Sequence, residues 1–278
     1  PPAAIRAMEH SISRPEAAPT RRNTAVFRFY AELNDFLPPP VGVERVYRFN
    51  GNPAVKDAIE AQGVPHAEVE LILVEGRSVG FGHRLADGYR VAVYPVFESF
   101  DVAGLVRVRP APLRRSRFVV DVNLGKLARW LRLLGFDTLY RNDYADAEVV
   151  RIAAEEGRIV LTRDRRLLHH AAVTHGYWVR AVESQAQVAE VLRRFQLEGA
   201  VAPFRRCLGC NGLIHPVAKE AVQGRLEPKT RRYYDEFHQC EGCGKVYWRG
   251  PHYARLENMV SRLLAPPTDP SDATEASR

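Results

Sequence analysis

"FVVDVNLGKLARWLRLLGFD", residues 118–137, is the stretch on which the fold turns. Phe118, Val119 and Val120 form a short unbroken apolar run that ends in a carboxylate, Asp121. Leu124, Leu127, Ala128, Leu131 and Leu134 then recur at helical spacing and predict a helix with one apolar stripe, stopped by Gly135. A fully apolar strand leading into an amphipathic helix is the unit of a parallel sheet covered on both sides. The alternation continues: FDTLY as strand, DYADAEVVRIAAEEG as helix, RIVLT as strand, RRLLHHAAVTHG as helix, YWVRAV as strand and SQAQVAEVLRRF as helix. Residues 117–199 are therefore predicted to be an α/β domain, a parallel sheet sandwiched by helices.

Upstream, residues 24–104 read differently. TAVFRFYAEL, VERVYRFN, VELILVEG and YRVAVYPVF suit strands, and PAVKDAIEAQGV suits a helix with proline in its first turn. The order β-β-α-β-β resembles the ubiquitin-like β-grasp fold, particularly its small sulfur-carrier relatives. Those carriers act through a free C-terminal Gly-Gly, whereas this chain runs on through FESFDVAGLV. A binding or scaffolding role toward a protein partner is the expectation, beside that of a packing module. Residues 105–116 read as a Pro/Arg-rich linker, and 1–23 and 266–278 as mobile tails. No apolar run approaches the ~20 residues that cross a bilayer, and no signal-like segment stands at the start, so a cytoplasmic location is expected.

The net charge of +7 is concentrated in the middle of the chain: residues 107–206 hold 19 basic against 11 acidic side chains. A local cationic excess suits a polyanion such as RNA, whose condensed counterions it displaces. A solvated arginine-rich surface has the same composition. Lys126, Arg129 and Arg132 lie off the apolar stripe and are expected to be exposed. Trp130 suits either packing or stacking on a base.

Acids gather where such a sheet binds ligands, at the carboxyl ends of its strands. Asp121 closes the first strand, Asp164 follows RIVLT, and Asp146 enters a helix with Asp143 three residues earlier. Converging carboxylates need a cation, and oxygen donors favour Mg²⁺ or Mn²⁺. Each acid also has a plain alternative as a helix cap or dipole partner.

All four cysteines lie in the third block, residues 203–265, as Cys207/Cys210 and Cys240/Cys243. Paired C-x2-C knuckles can present four thiolates to a structural Zn²⁺ with no open position for water. A disulfide pair or an iron–sulfur cluster are the alternatives. A helix-containing insert, HPVAKEAV, is expected between the knuckles. Basic residues including Lys245 and Arg249 interleave with Tyr233, Tyr234, Tyr247, Trp248 and Tyr253, a mixture suited to single-stranded RNA.

FVVDVNLGKLARWLRLLGFDT, DAEVV, EEGRIVLTRDRRLL, the two cysteine pairs and CGKVYWRGPHY together resemble the Mut-seven C-terminal RNase family, a branch of the PIN-like nucleases. The resemblance spans residues 117–255 and commonly has an N-terminal ubiquitin-like companion. It implies a metal-dependent endoribonuclease leaving 5′-phosphate ends, with Asp121, Asp146 and Asp164 as the Mg²⁺- or Mn²⁺-binding acids. It also implies that Thr162 and Arg163 orient Asp164 or meet phosphate, and Arg165 joins the RNA-contact candidates. The broader PIN pattern often has a fourth acid just after the third, where this chain has Arg165 and Arg166; Asp143 is the candidate replacement. A PIN-like domain with a ribbon also resembles an endonuclease that trims small-subunit rRNA precursors, so structured RNA such as rRNA or tRNA is an expected partner. The alternatives are a non-catalytic RNA- or ribosome-binding protein and a toxin-like nuclease.

Overall fold

Alternation of apolar residues places Ala25, Phe27 and Phe29 on the buried side of the first strand. In the computed structural model, which describes residues 22–95, Val108 and 116–264, this strand is β1 (Asn23–Phe29). It pairs with β2 (Arg45–Phe49) on one side and, in parallel, with β5 (Arg90–Tyr94) on the other. Helix α1 (Val55–Ala61) packs Val55, Ala58 and Ile59 into the core, and β3 (Leu71–Val74) and β4 (Arg77–Val79) complete the order β2-β1-β5-β3-β4. The parallel pairing of first and last long strands is the β-grasp arrangement. Strand β4 is an addition to the sequence reading. The expected strand TAVFRFYAEL stops early, because Ala31 turns to φ +46° and residues 31–36 form a 3-10 turn that buries Leu33 and Phe36. The expected tails, most of the linker and the run FESFDVAGLV lie outside the described residues.

The second sheet is parallel throughout, in the order β7-β6-β8-β9. It comprises β6 (Phe118–Val120), β7 (Thr138–Leu139), β8 (Ile159–Thr162) and β9 (Gly176–Trp178). The period of two divides its side chains between two cores. Phe118, Val120, Ile159 and Leu161 join Leu127, Ala128, Leu131 and Leu134 of α2 (Gly125–Leu133) and its C-terminal turn on one face. Helix α5 (Ser184–Arg194) adds Val188, Val191 and Leu192 there. Val119 and Val160 point the other way, into α3 (Asp146–Glu156) and α4 (Arg165–Leu168). Each fully buried leucine of the α2 stripe contributes about 2 kcal/mol of transfer free energy. The expected helix RRLLHHAAVTHG is only the four residues of α4; the chain turns at His170, whose Nδ1 accepts from the Ala172 amide, and buries Val173.

The cysteine block is a three-stranded antiparallel ribbon of β10 (Ile214–Val217), β11 (Phe237–Cys240) and β12 (Val246–Trp248). Its insert, expected to contain a helix, begins as strand β10 and only then forms α6 (Lys219–Val222) and α7 (Pro228–Tyr233). Helix α8 (Pro251–Leu264) returns to the parallel-sheet core, where Val260 is buried.

The β-grasp and parallel-sheet domains share an interface. Glu68 accepts from the Trp178 amide at 2.5 Å, Arg194 faces Glu32 at 3.3 Å, and Arg180 pairs with Asp35 at 2.6 Å. Arg165 lays its guanidinium 3.8 Å from the Trp178 ring centre and donates to the Asp35 carbonyl. No helix among the described residues is long and apolar enough to cross a membrane.

Candidate active site and metal centre

The sheet order places β6 and β8 side by side while the chain leaves β6 toward β7 and returns to β8. That change of direction opens a crevice at the carboxyl ends of the two central strands, where ligands of such sheets bind. Asp121 and Asp164 lie there, one directly after β6 and the other two residues beyond the end of β8. Asp121 is 4% exposed, and its amide donates to the Leu161 carbonyl across the strand pair at 3.0 Å. Thr162 joins the two acids: its hydroxyl donates to Asp121 Oδ2 at 2.9 Å and accepts from the Asp164 amide at 2.8 Å. Since the hydroxyl proton is committed to Asp121, the orientation of one acid fixes the backbone that presents the other. Asp164 also caps α4, accepting from the Arg166 amide through Oδ1 at 2.8 Å. Gly125 keeps the turn after Asp121 closed, for a Cβ there would stand 2.4 Å from the Tyr140 hydroxyl, which donates to the Val122 carbonyl.

Asp146 sits on the exposed first turn of α3, with Ala145 rather than Asp143 at the N-cap. The carboxylates of Asp121, Asp146 and Asp164 do not form a group with all ligand oxygens within 4.8 Å; among the described residues only the four cysteines do. Direct ligation of one Mg²⁺ by all three would need oxygens within about 4.2 Å of one another. Among the described residues none of the three acids is ion-paired, in contrast to Asp143, which a bidentate pair with Arg141 occupies at 2.9 and 2.6 Å. Arg141 holds the Asp143 carboxyl below its usual range.

One basic candidate is corrected. Arg132 is 3% exposed rather than solvated. Its five-donor fork fits a pocket of backbone carbonyls, donating to Thr138, Tyr140, Leu208 and Gly209 at 2.9–3.2 Å. It ties the first cysteine knuckle to the end of β7 and is withdrawn from the RNA contacts. Arg165 is exposed, with its guanidinium engaged at the β-grasp interface described above. Lys126, Arg129, Lys245 and Arg249 are exposed; Arg163 is exposed and donates to the Ala181 carbonyl.

Residues that the sequence reading passed over complete the join between ribbon and sheet. Asn211 accepts from the Thr138 amide at 3.0 Å and donates to Asp137 at 2.8 Å. Arg158 pairs with the same carboxylate at 2.7 Å, and Arg206 approaches it at 3.6 Å. Burial works against ionisation of Asp137, but the hydrogen bonds from Arg158 and Asn211 hold its carboxyl below the usual range. The nearest sequence signal was Asn211 directly after a knuckle cysteine, where a left-handed turn is needed.

The two knuckles repeat one another. Asn211 and Gly244 follow the second cysteine of each pair at φ +73° and +70°. Their amides donate to the Cys207 and Cys240 carbonyls at 2.9 and 3.0 Å. Cβ-free Gly212 lets the knuckles close, since a Cβ would stand 2.9 Å from Cys240 Sγ. The sulfurs of Cys207 and Cys243 are 3.6 Å apart and those of Cys210 and Cys240 are 3.4 Å apart. These separations exceed a disulfide bond of about 2.05 Å. They approach the edge of about 3.8 Å expected for four thiolates around one tetrahedral metal. Against its burial, the Tyr247 hydroxyl and the Gly209 and Cys210 amides bring the Cys207 thiol down to about 6. Burial and the neighbouring sulfurs push Cys210 up to about 12. The four sulfurs lie close enough together to hold one metal ion, and an all-sulfur donor set suits Zn²⁺.

The Mut7-C RNAse domain matches residues 116–260, more than half of the chain, and the Mut7-C ubiquitin domain matches residues 22–101. The chain belongs to the Mut7-C RNase family. The Mut7-C match covers the parallel sheet and the cysteine ribbon together, and the ubiquitin match covers the β-grasp sheet. Membership makes the parallel-sheet domain ribonuclease-like and RNA its substrate class at that coarse level. No curated protein and no solved structure matches the chain significantly.

Proposed function

We propose that this Mut7-C protein is a metal-dependent endoribonuclease whose acidic site is Asp121, Asp146 and Asp164, and whose cysteine ribbon holds a structural Zn²⁺. The observation that carries the reading is the Asp121–Thr162–Asp164 chain of hydrogen bonds at the sheet's change of direction, in a domain of an RNase family. Asp121 and Asp164 would hold Mg²⁺ or Mn²⁺ directly, and Asp146 would reach it through one of the waters such ions retain. The bound ion would supply an activated water and stabilise charge building on phosphorus. Thr162 aims Asp121, the α4 cap holds one oxygen of Asp164, and among the described residues no cationic side chain pairs with these acids. Lys126, Arg129 and Arg163 offer positive charge beside them for the RNA backbone. Hydrolysis then breaks the bond from phosphorus to the 3′ oxygen and leaves a 5′-phosphate.

Asp121→Asn and Asp164→Asn are expected to abolish Mg²⁺- or Mn²⁺-dependent cleavage of RNA without releasing zinc. Undiminished cleavage by both would overturn the assignment. A second reading, a non-catalytic RNA-binding protein that retains the fold, is favoured by the engagement of Asp143 with Arg141 and by Arg165 and Arg166 at the fourth-acid position. Such a protein would keep its RNA affinity and show no cleavage at any divalent concentration. A protein partner on the β-grasp sheet belongs to the same proposal, and pull-down with and without residues 22–101 tests it.

A further inference from the structure

A cleft of about 730 Å³ separates the nuclease domain from the ribbon. One wall is α2, through Arg129 and Leu133; the other is β12 and the start of α8, through Lys245 to Leu256. A smaller depression of about 220 Å³, lined by Lys126, Trp130 and Met259, adjoins it and shares Arg129, Leu133, Leu208 and Leu256. The two form one groove along α2, from Lys126 in its first turn to the ribbon.

The floor is apolar, but the rim is cationic. Arg129, Arg205, Lys245 and Arg249 line it, and no aspartate or glutamate does. Among the described residues none of these four is in an ion pair, whereas Arg206, also lining the cleft, is anchored toward Asp137. Unneutralised cations on both walls of an apolar slot fit a chain carrying phosphates outside and flat apolar rings inside. The aromatic for such a ring is in place. Trp248, 36% exposed, lines the cleft, and its indole crosses Gly250, where a Cβ would stand 2.8 Å from Nε1. The volume lies within the range of small-ligand sites and is large enough for a nucleotide. A folded duplex would not present its bases to a ring inside the cleft.

We infer that this cleft is a binding subsite for single-stranded RNA, in which a base stacks on Trp248 while Arg129, Lys245 and Arg249 hold the flanking phosphates. The inference rests on RNA being the substrate and assigns where the strand runs beyond the acidic site. It makes ribbon and nuclease a single RNA-binding surface.

The test reads binding without cleavage, with no added Mg²⁺ or Mn²⁺, so that a failure of the catalytic reading and a failure of the cleft remain distinct. Fluorescence anisotropy of the full chain uses a labelled oligouridylate of about ten nucleotides. Trp248→Ala is expected to weaken binding roughly tenfold, and Trp248→Phe to keep most of it. Lys245→Glu with Arg249→Glu is expected to weaken binding and flatten its salt dependence. Zinc content reports that the ribbon is folded in each variant. Arg129→Glu, on the nuclease wall, carries the test should a ribbon variant lose metal. Crosslinking with 4-thiouridine should mark the peptide holding Trp248. Wild-type affinity in Trp248→Ala, Lys245→Glu/Arg249→Glu and Arg129→Glu would overturn the inference, as would crosslinks confined to other surfaces or duplex RNA binding as tightly as the single strand.

Discussion

Thr162 is a small side chain with a large share of the acidic site. Its hydroxyl is buried between Asp121 and the Asp164 amide. Thr162→Val keeps the shape and removes both bonds, leaving a buried carboxylate short of a donor. Stability should fall by about 1–3 kcal/mol, with cleavage falling further because both acids lose their reference. Thr162→Ser should recover most of each. Urea denaturation and RNA cleavage rates check the pair, and equal loss in Val and Ser variants would show that the methyl group, not the hydroxyl, matters. The positions of Asp121 and Asp164 at a sheet edge were legible in the sequence, because strand ends in parallel sheets are marked by where apolar runs stop. The link through Thr162 was not, since a hydrogen bond between neighbouring strands depends on their register. Arg132 was misread for a related reason: a cation off the apolar stripe is expected in water, and only the folded knuckle supplies the carbonyls that enclose it.

Helix α2 and the first knuckle form a mechanical unit. Arg132→Met removes donors to four carbonyls from a site that is closed to water. A loss of about 3 kcal/mol is expected, with faster zinc release and earlier proteolysis between nuclease and ribbon. Chelation should act in the opposite direction along the same path: removing zinc unfolds the ribbon, uncovers Arg132, Thr138 and Asp137, and lowers the melting temperature of the nuclease sheet. Calorimetry of the full chain with and without chelator decides this, and an unchanged nuclease transition would show the two to be independent. Elements with strong stripes, α2 above all, were readable from spacing. The segment after β8 was not, because RRLLHH carries helical residues whose extension is stopped by tertiary demand to bury Val173 and start β9.

The β-grasp domain is fastened to the nuclease beside its acidic site, for Arg165 follows Asp164 directly and stacks on Trp178 at the interface. Glu68 is the buried acid of that interface. Burial pushes its carboxyl up to about 7, although Arg194, Arg180 and the Trp178 amide pull down, with Glu32 opposing them. A folded-state value above the ordinary 4.5 means that the folded chain holds a proton that the unfolded chain releases. This contribution to stability is therefore full below pH 4.5 and is lost as pH rises to about 7, on the order of 3 kcal/mol. Glu68→Gln should flatten the slope of urea midpoint against pH across that window, and an unaltered slope would assign the dependence elsewhere. This interface was invisible in the sequence, which shows two domains and a linker but not which faces meet.

The claim on which the enzymology rests is a divalent ion at the rim of the central strands. Crystals grown with Mn²⁺ should show an anomalous manganese peak between Asp121 and Asp164, separate from the zinc peak at the four cysteines, and Asp121→Asn should lose the first peak and keep the second. A protein that cleaves RNA in Mn²⁺ while its crystals hold manganese anywhere but at that rim would contradict the site.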